Sequence, residues 1–361
     1  MNMKPKGGVI ATAVALAAFM IGAAAAGSAG ADTINLRLGS GHPQKALEYT
    51  KIGDSFFVPE LIRRVKQATG DDVVVQQLHA GAIAKVKEVL ETTRDGLLDI
   101  GLWVYPFEPT NAFLQSFNFY LPFNSSNATL TTLATRATFD KYPELRTVYE
   151  KNFNQKVLAT VCVGNYGLGT NFAWSKFDDL KGHKIAGAGA NLNWIKGATP
   201  VSSNLNEAYQ AIQSGVYEGY IIFPGSWFGF KLHEIGKNFM KTDFGTMAII
   251  AMTVNLDRWN KLSPEVRDIM AQVAKEYEIA TANECTAFGI NGENKLLDAG
   301  VTVKQLSFDS KVAWCKAVAD FPNRMAQDAN KRGLPGTGVM KYYIETISKM
   351  GHEFPCEYKI E

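Results

Sequence analysis

One long helical pattern constrains the fold of this 361-residue chain more than any other feature. It opens at Ser263-Pro264-Glu265, where serine is a favoured N-cap, proline suits the first helical turn and an acid complements the helix dipole. Apolar residues then recur at helical spacing until Gly300. A helix of about 30 residues is about 45 Å long, which exceeds the size of a small domain. We therefore predict a helix that bridges two domains.

Strand-like and helical segments alternate along the rest of the chain. Predicted strands cover 33–38, 73–78, 97–104, 157–163, 216–222, 247–254 and 301–306, with a short one at Ile185. Predicted helices cover 58–70, 86–90 and 207–214, and two lie within 310–332 and 339–349. Such alternation indicates an α/β fold, in which helices cover a sheet, and the length favours about two domains.

The first 31 residues have the pattern of a secretory signal peptide. Lys4 and Lys6 precede an apolar run rich in alanine and glycine, and Ala29-Gly-Ala31 supplies small residues for cleavage. A transmembrane anchor is the alternative, but alanine and glycine transfer poorly into hydrocarbon. We expect an exported mature protein that is not embedded in the membrane.

Charge and motifs exclude several classes of function. Without Lys4 and Lys6, 35 basic residues face 35 acidic ones, so the mature chain has no electrostatic footprint for nucleic acid. None of the five histidines forms a zinc-binding pair, so no metal site is expected. Gly225-Ser-Trp-Phe-Gly229 lacks the spacing of a hydrolase elbow, and Gly187-Ala-Gly189 lacks the third glycine of a dinucleotide loop. We expect neither catalysis nor a cofactor, because an enzyme would have only the generic fold in its favour.

Four cysteines lie in the exported part: Cys162, Cys285, Cys315 and Cys356. They allow three full pairings, which the sequence does not separate. Export to an oxidising compartment favours at least one disulfide. Cys315 with Cys356 is the favoured pair, because it would tie down the C-terminal tail, and free buried thiols are the alternative.

A family resemblance rests on several ordered segments. Asp179-Leu-Lys-Gly-His-Lys-Ile-Ala186, Gly197-Ala-Thr-Pro-Val201 and the stretch 207–219 resemble the ligand-domain signature of DctP-like solute receptors of tripartite ATP-independent periplasmic (TRAP) transporters. Leu121-Pro-Phe123 and the stretch 255–263 resemble further landmarks of that family.

The resemblance implies a two-lobed periplasmic-binding-protein fold, joined by hinge strands and the long lobe-spanning helix. It also implies a small-molecule ligand, small and large TRAP membrane subunits as partners, and a periplasmic location. Lobe I would comprise 32–157 and 246–285. Lobe II would comprise 158–245 and 286–361, including the C-terminal helices.

The chain departs from this family where the ligand is held. Family members carry an arginine after the Lys-Ile pair, which clamps the ligand carboxylate, and here Ala186 takes that place. Tyr166 stands near the position of a second family arginine, and Ile222 or Phe223 replaces a polar residue. A buried carboxylate without a partner costs several kcal/mol. We therefore predict a neutral, apolar or cationic ligand.

Two alternatives remain open. The first is a receptor for an ordinary organic acid whose cationic anchor has moved, for example to Lys184. The second is a sensor subunit that presents its ligand to a membrane signalling protein.

Aromatic residues close to predicted strand ends complete the candidate site. Their rings could stack on an aromatic or alicyclic ligand, or surround a quaternary ammonium group, although core packing is the alternative for each ring. The predicted ligand contacts are His42, Trp103, Tyr105, Tyr166, Ala186, Trp194, Ile222, Phe223 and Trp227.

Overall fold

The computed structural model describes Met1, residues 32–45 and residues 47–361. The predicted signal peptide, 1–31, therefore lies outside the described residues apart from Met1. Asp32–Glu361 forms a single structural unit. No helix in these described ranges is long and apolar enough to cross a membrane.

Within the described residues, nine strands form one mixed sheet. They are β1 (Thr33–Ser40), β2 (Asp72–Leu78), β3 (Ile100–Val104), β4 (Gln155–Thr170), β5 (Lys184–Gly187), β6 (Thr199–Ser202), β7 (Gly219–Ile222), β8 (Asn238–Asn255) and β9 (Thr302–Gln305). The strand order is β2-β1-β3-β8-β4-β7-β5-β6, and β9 pairs with β8. Three parallel strands therefore lie on one side of the β8–β4 pair and three lie beyond the other side.

Helices cover this sheet, which confirms the predicted α/β class. The α-helices are α1 (Glu48–Ile52), α2 (Val58–Thr69), α3 (Val89–Arg94), α4 (Ala128–Lys141), α5 (Glu144–Phe153), α6 (Ala208–Gln213), α7 (Pro224–Gly229), α8 (Leu256–Lys261), α9 (Pro264–Asp298), α10 (Phe308–Val318), α11 (Phe321–Lys331) and α12 (Gly336–Lys349). Short 3₁₀ segments at Leu114–Tyr120 and Gly189–Trp194 also contribute side chains to the interior.

The antiparallel pair β4–β8 runs through the middle of the molecule. One end of β8 pairs with β3 and the other end pairs with β9, so the two strands cross from one half of the sheet to the other. Their register shifts on both sides of Tyr166, opposite Gly245. Gly245 has a φ of +102°, and a Cβ there would collide with the Asn124 carbonyl. This irregular segment lies where β4 and β8 cross between the two halves of the sheet. The boundaries of the two lobes stay a prediction.

The predicted long helix is confirmed as α9, which has 35 residues. The Ser263 side chain caps it by accepting a hydrogen bond from the Val266 amide at 3.2 Å. α9 packs along β4 and also contacts α2 and α7. It therefore contacts elements from both halves of the sheet.

The four cysteines form two separate pairs. Cys315 and Cys356 are joined by a disulfide, which fastens the C-terminal segment to α10. Cys162 and Cys285 are buried free thiols whose sulfur atoms lie 3.2 Å apart, between β4 and α9.

Candidate functional site

The carboxyl ends of β1, β3, β5 and β7 converge on the middle of the molecule. A Cβ built on Gly189, just after β5, would lie 3.4 Å from the carbonyl oxygen of Pro106, just after β3. A Cβ built on Gly164 of β4 would lie 3.2 Å from the Cβ of Phe223, just after β7. Because α/β proteins bind ligands in the crevice at strand carboxyl ends, this region is the candidate site.

Four buried rings form the centre of this site, and we call them the aromatic cluster: Phe119, Tyr166, Trp194 and Phe223. The centroid of the Tyr166 ring lies 5.4 Å from that of Phe223 and 5.5 Å from that of Trp194. Phe119 and Trp194 are 4.9 Å apart, and the Trp194 indole donates a hydrogen bond to the Phe119 carbonyl at 3.1 Å. Edge-to-face geometries of this kind are favourable for aromatic pairs.

Two predicted apolar positions lie in the strands beside the cluster. Ala186 is fully buried in β5, where it pairs with Val201 of β6 and Tyr220 of β7. Ile222 ends β7 and pairs with Gly167 of β4. A methyl group and a butyl group offer no charge or hydrogen bond to a ligand, so these positions contribute only apolar surface.

His42 follows β1 and supplies a polar group that stays neutral near pH 7. Its Nδ1 lies 2.6 Å from the Tyr49 hydroxyl, which is also 3.2 Å from the Ser40 hydroxyl. Burial lowers the pKa of His42 to about 4. The imidazole is therefore not a positive partner for an anion.

The structure does not bring the other three predicted side chains into the aromatic cluster. The Trp103 indole donates to the Thr253 hydroxyl at 3.0 Å, and its ring packs on Tyr105 at 5.1 Å. The Trp227 indole donates to the Gly236 carbonyl at 3.2 Å, and Trp227 packs on Phe239 at 6.4 Å. All three side chains are buried among these partners. A ligand contact for Trp103, Tyr105 or Trp227 stays a prediction.

Lysines around the site are already engaged by acids. Lys51 pairs with Glu284 at 2.6 Å, Lys241 pairs with Glu293 at 2.9 Å, and Lys311 pairs with Asp243 at 2.5 Å. Lys184 is exposed at the outer end of β5. Three of these four lysines are therefore held in ion pairs, and the fourth, Lys184, lies two residues before Ala186 in β5.

A cavity of about 130 Å³ lies beside Tyr166, between α9 and the irregular part of β4. Its walls include Asn165, Tyr166, Cys285, Thr286 and Glu293. Ligand pockets usually enclose about 300–1,000 Å³. This cavity is therefore smaller than a typical ligand pocket.

Sequence reasoning missed Glu48, a fully buried acid at the start of α1. Its Oε1 accepts a hydrogen bond from the Gly164 amide at 3.1 Å, and its Oε2 has no hydrogen-bond partner among the described residues. Burial raises its pKa to about 7. Little in the sequence distinguishes it, because an acid in a first helical turn is usually an exposed partner of the helix dipole.

The fold together with the family match defines a solute receptor. The chain belongs to the DctP family of bacterial extracellular solute-binding proteins, family 7, whose model matches residues 57–328. Members of this family are receptors and not enzymes, which confirms the prediction of a binding protein.

Curated relatives match part of the chain. The C4-dicarboxylate-binding periplasmic protein DctP of Rhodobacter capsulatus is 28% identical over 142 residues, which cover 38% of this chain and 41% of that protein. A solute-binding protein of Sulfitobacter sp. is 29% identical over 123 residues, 32% of this chain and 37% of that protein. The chain therefore aligns with about two fifths of the length of these relatives.

Solved structures share the whole fold. A marine metagenome TRAP solute-binding protein specific for aromatic acids, crystallised with 3-hydroxybenzoate, has a TM-score of 0.75 at 23% identity and covers 89% of this chain and 100% of that one. A Bordetella bronchiseptica TRAP protein with bound mandelate has a TM-score of 0.74 at 20% identity and covers 88% and 99%. The chain thus has the two-lobed fold of TRAP receptors, as predicted.

Proposed function

We propose that this chain is the periplasmic solute receptor of a TRAP-type importer. After export and removal of the signal peptide, it binds a small organic ligand between two lobes and delivers it to the small and large membrane subunits. The family membership and the predicted export signal support this role. Neither lobe carries out catalysis in this scheme.

We further propose that the ligand is neutral, apolar or cationic, with an aromatic, alicyclic or quaternary-ammonium group. The observation that carries this proposal is Ala186, buried in β5 where the family signature has its arginine. Without a guanidinium, a carboxylate enclosed beside Phe223 and Trp194 would lose its hydration without gaining an ionic partner, which costs several kcal/mol. A ligand without a negative charge avoids that cost.

Binding requires the two halves to open and then close again. The cluster rings are in contact, and the neighbouring cavity of about 130 Å³ is too small for a typical ligand. A ligand that contacts both halves stabilises the closed state by its differential affinity for that state. The irregular β4–β8 segment around Tyr166 and Gly245 is the proposed hinge.

A binding panel tests the ligand class. We expect 2-phenylethanol and related neutral compounds to raise the melting temperature, because a ligand of the folded state stabilises it by mass action. Succinate and malate should show no micromolar binding in calorimetry. Micromolar affinity for either dicarboxylate would contradict the proposed ligand class, although it would leave the receptor assignment intact.

An organic acid is the second candidate ligand. It is favoured by the acids bound to two structural relatives, 3-hydroxybenzoate and mandelate. In that case a cation outside the Ala186 position would hold the carboxylate. Tighter binding of mandelate than of its neutral alcohol analogue, 1-phenyl-1,2-ethanediol, would select this candidate.

A further inference from the structure

Glu48 lies where three elements of the candidate site meet. It is the first residue of α1, which follows the loop from the carboxyl end of β1. A Cβ built on Gly164 of β4 would lie 3.0 Å from the Glu48 Oε1 and 3.2 Å from the Phe223 Cβ. The carboxyl group and the Phe223 side chain therefore converge on the same point of β4, at the edge of the aromatic cluster.

A second buried acid shows what Glu48 lacks. Glu278 of α9 also accepts a hydrogen bond from a β4 amide, that of Thr160, at 2.9 Å. Its other oxygen is paired with the Arg136 guanidinium at 2.6 Å. Glu48 has the same kind of amide contact, but its Oε2 is buried and unpartnered among the described residues.

The lysine of α1 does not pair with the Glu48 Oε2. Lys51, one turn further along α1, is held by Glu284 at 2.6 Å. The side-chain oxygen of Asn191, packed over Gly187 at the end of β5, is likewise buried without a partner. Both of these oxygen atoms are hydrogen-bond acceptors, and neither has a donor within hydrogen-bond distance among the described residues.

We propose that Glu48 is the polar anchor of the site and that its carboxylate binds an ammonium group, or a related N–H-bearing cation, of the ligand. This inference rests on the proposed receptor function and narrows its ligand class. A charge-assisted hydrogen bond from the ligand's N–H group to Oε2 would give Glu48 the kind of cationic partner that Glu278 has in Arg136. The rings of Tyr166 and Phe223 would contact the organic part and attract the cation through their faces. An anionic ligand would be repelled by the negative charge of the ionised Glu48 carboxylate.

The pH dependence of binding follows from the groups that surround Glu48. Burial raises the pKa of Glu48 to about 7, while that of His42 is lowered to about 4. Burial also raises the pKa of three neighbours further above their ordinary alkaline values: Tyr49, Tyr166 and Cys285. Lys51 and Glu284 pair with each other. A cationic ligand needs ionised Glu48, so its affinity should rise from pH 6 to pH 8.

A head-group series tests the inference. The probes are 2-phenylethylamine, 2-phenylethanol and phenylacetate, which share a ring and differ in charge. At pH 8 the wild-type protein should bind the amine at least tenfold more tightly than the alcohol, and phenylacetate least tightly. In Glu48→Gln this preference should fall to about threefold or less, because the amide keeps the Gly164 hydrogen bond and removes the charge.

Glu278→Gln is the matched control, since it neutralises the other buried acid that accepts a hydrogen bond from a β4 amide. It should retain the tenfold preference for the amine although its melting temperature falls. Unliganded Glu48→Gln should melt at a higher temperature than the wild type at pH 8, because an unpaired buried charge is removed. A lower melting temperature of this variant would assign Glu48 a structural role and overturn the inference.

The remaining outcomes separate the inference from the proposed function. If the alcohol binds as tightly as the amine, or if Glu48→Gln keeps the preference, the Glu48 inference fails while the receptor for apolar ligands stands. If phenylacetate binds most tightly, both fail and the organic-acid receptor is selected. If none of the three probes binds at 10 mM, the inference also fails. An unpaired carboxylate beside the rings of Tyr166 and Phe223 should bind the amine at that concentration.

Discussion

At the scale of single residues, rings with similar burial have different surroundings. Phe223 follows the end of β7 and faces Tyr166 and Gly164, whereas Trp227, four residues later, packs over Gly169 and Phe239. Both side chains are almost fully buried, so burial alone does not separate a ligand contact from core packing. We therefore separate the two rings by their neighbours. A ring whose neighbours come from several elements at the strand ends is a candidate ligand contact, and a ring without such neighbours belongs to the core.

Phe223 and Trp227 therefore form a matched pair for mutation. Phe223→Ala should weaken binding of an aromatic probe about tenfold or more, because it removes a wall of the site. Trp227→Phe should lower the free energy of unfolding by about 1–3 kcal/mol through lost packing and leave affinity within about twofold. Calorimetry measures the affinity, and urea unfolding measures the free energy of unfolding. Equal loss of affinity in both variants would place Trp227 in the site as well.

At single residues, the sequence locates positions that a family motif marks, but it does not reveal how deeply a side chain is buried or which partner satisfies it. The motif ending at Ala186 located β5 and the loss of its arginine. Trp103 was a ligand candidate because it lies near a strand end, yet its indole is satisfied by Thr253 in the core. Glu48 was missed because a sequence does not reveal that an acid in a first helical turn is fully enclosed.

At the scale of elements, periodicity predicted the strands and the long helix better than the threonine-rich helices. β4 and β8 extend well beyond their predicted ranges, because polar residues such as Asn165 and Asp243 continue the pairing at the crossing. β3 and β7 begin later than predicted, since Leu97 and Val216 are exposed turn residues after Gly96 and Gly215. α4 buries four threonines and so shows no apolar stripe.

The Cys315–Cys356 disulfide stabilises the C-terminal segment. It closes a loop with a sequence separation of 41 residues, for which the chain-entropy model gives about 4 kcal/mol. Replacing both cysteines by serine should therefore lower the free energy of unfolding by about 2–4 kcal/mol, as measured by urea unfolding. Dithiothreitol should destabilise the wild type similarly and have no further effect on the double variant. An unchanged unfolding midpoint would show that the segment is held by other contacts, such as the Tyr358 hydrogen bond to Pro122.

At the scale of the whole molecule, stability and ligand binding are linked through one buried proton site. The pKa of Glu48 is raised from its ordinary value of 4.5 to about 7 in the folded state. Between these two values the folded protein binds a proton that the unfolded chain releases. This contribution to stability is therefore present at low pH and is lost as the pH rises through about 7.

We expect the unliganded wild type to lose stability relative to Glu48→Gln between pH 5 and pH 8. The shift in pKa corresponds to a loss on the order of 3 kcal/mol in the free energy of unfolding of the wild type relative to the variant. Chemical denaturation of both proteins across this range isolates the effect, because Glu278 and the surface carboxylates are common to both and cancel in the difference. A difference that stays constant with pH would show that Glu48 does not change its protonation there.

A bound cation should reverse this loss. Once an ammonium group pairs with ionised Glu48, the charge that destabilises the unliganded protein at pH 8 becomes part of the closed complex. Stabilisation by 2-phenylethylamine at a fixed concentration should therefore be larger at pH 8 than at pH 6, whereas stabilisation by 2-phenylethanol should not increase. Melting curves of the wild type with each compound at the two pH values measure this. If stabilisation by 2-phenylethylamine instead decreases as the pH rises, Glu48 does not bind the amine as a carboxylate. The binding form would then be the protonated acid, which contradicts the inference.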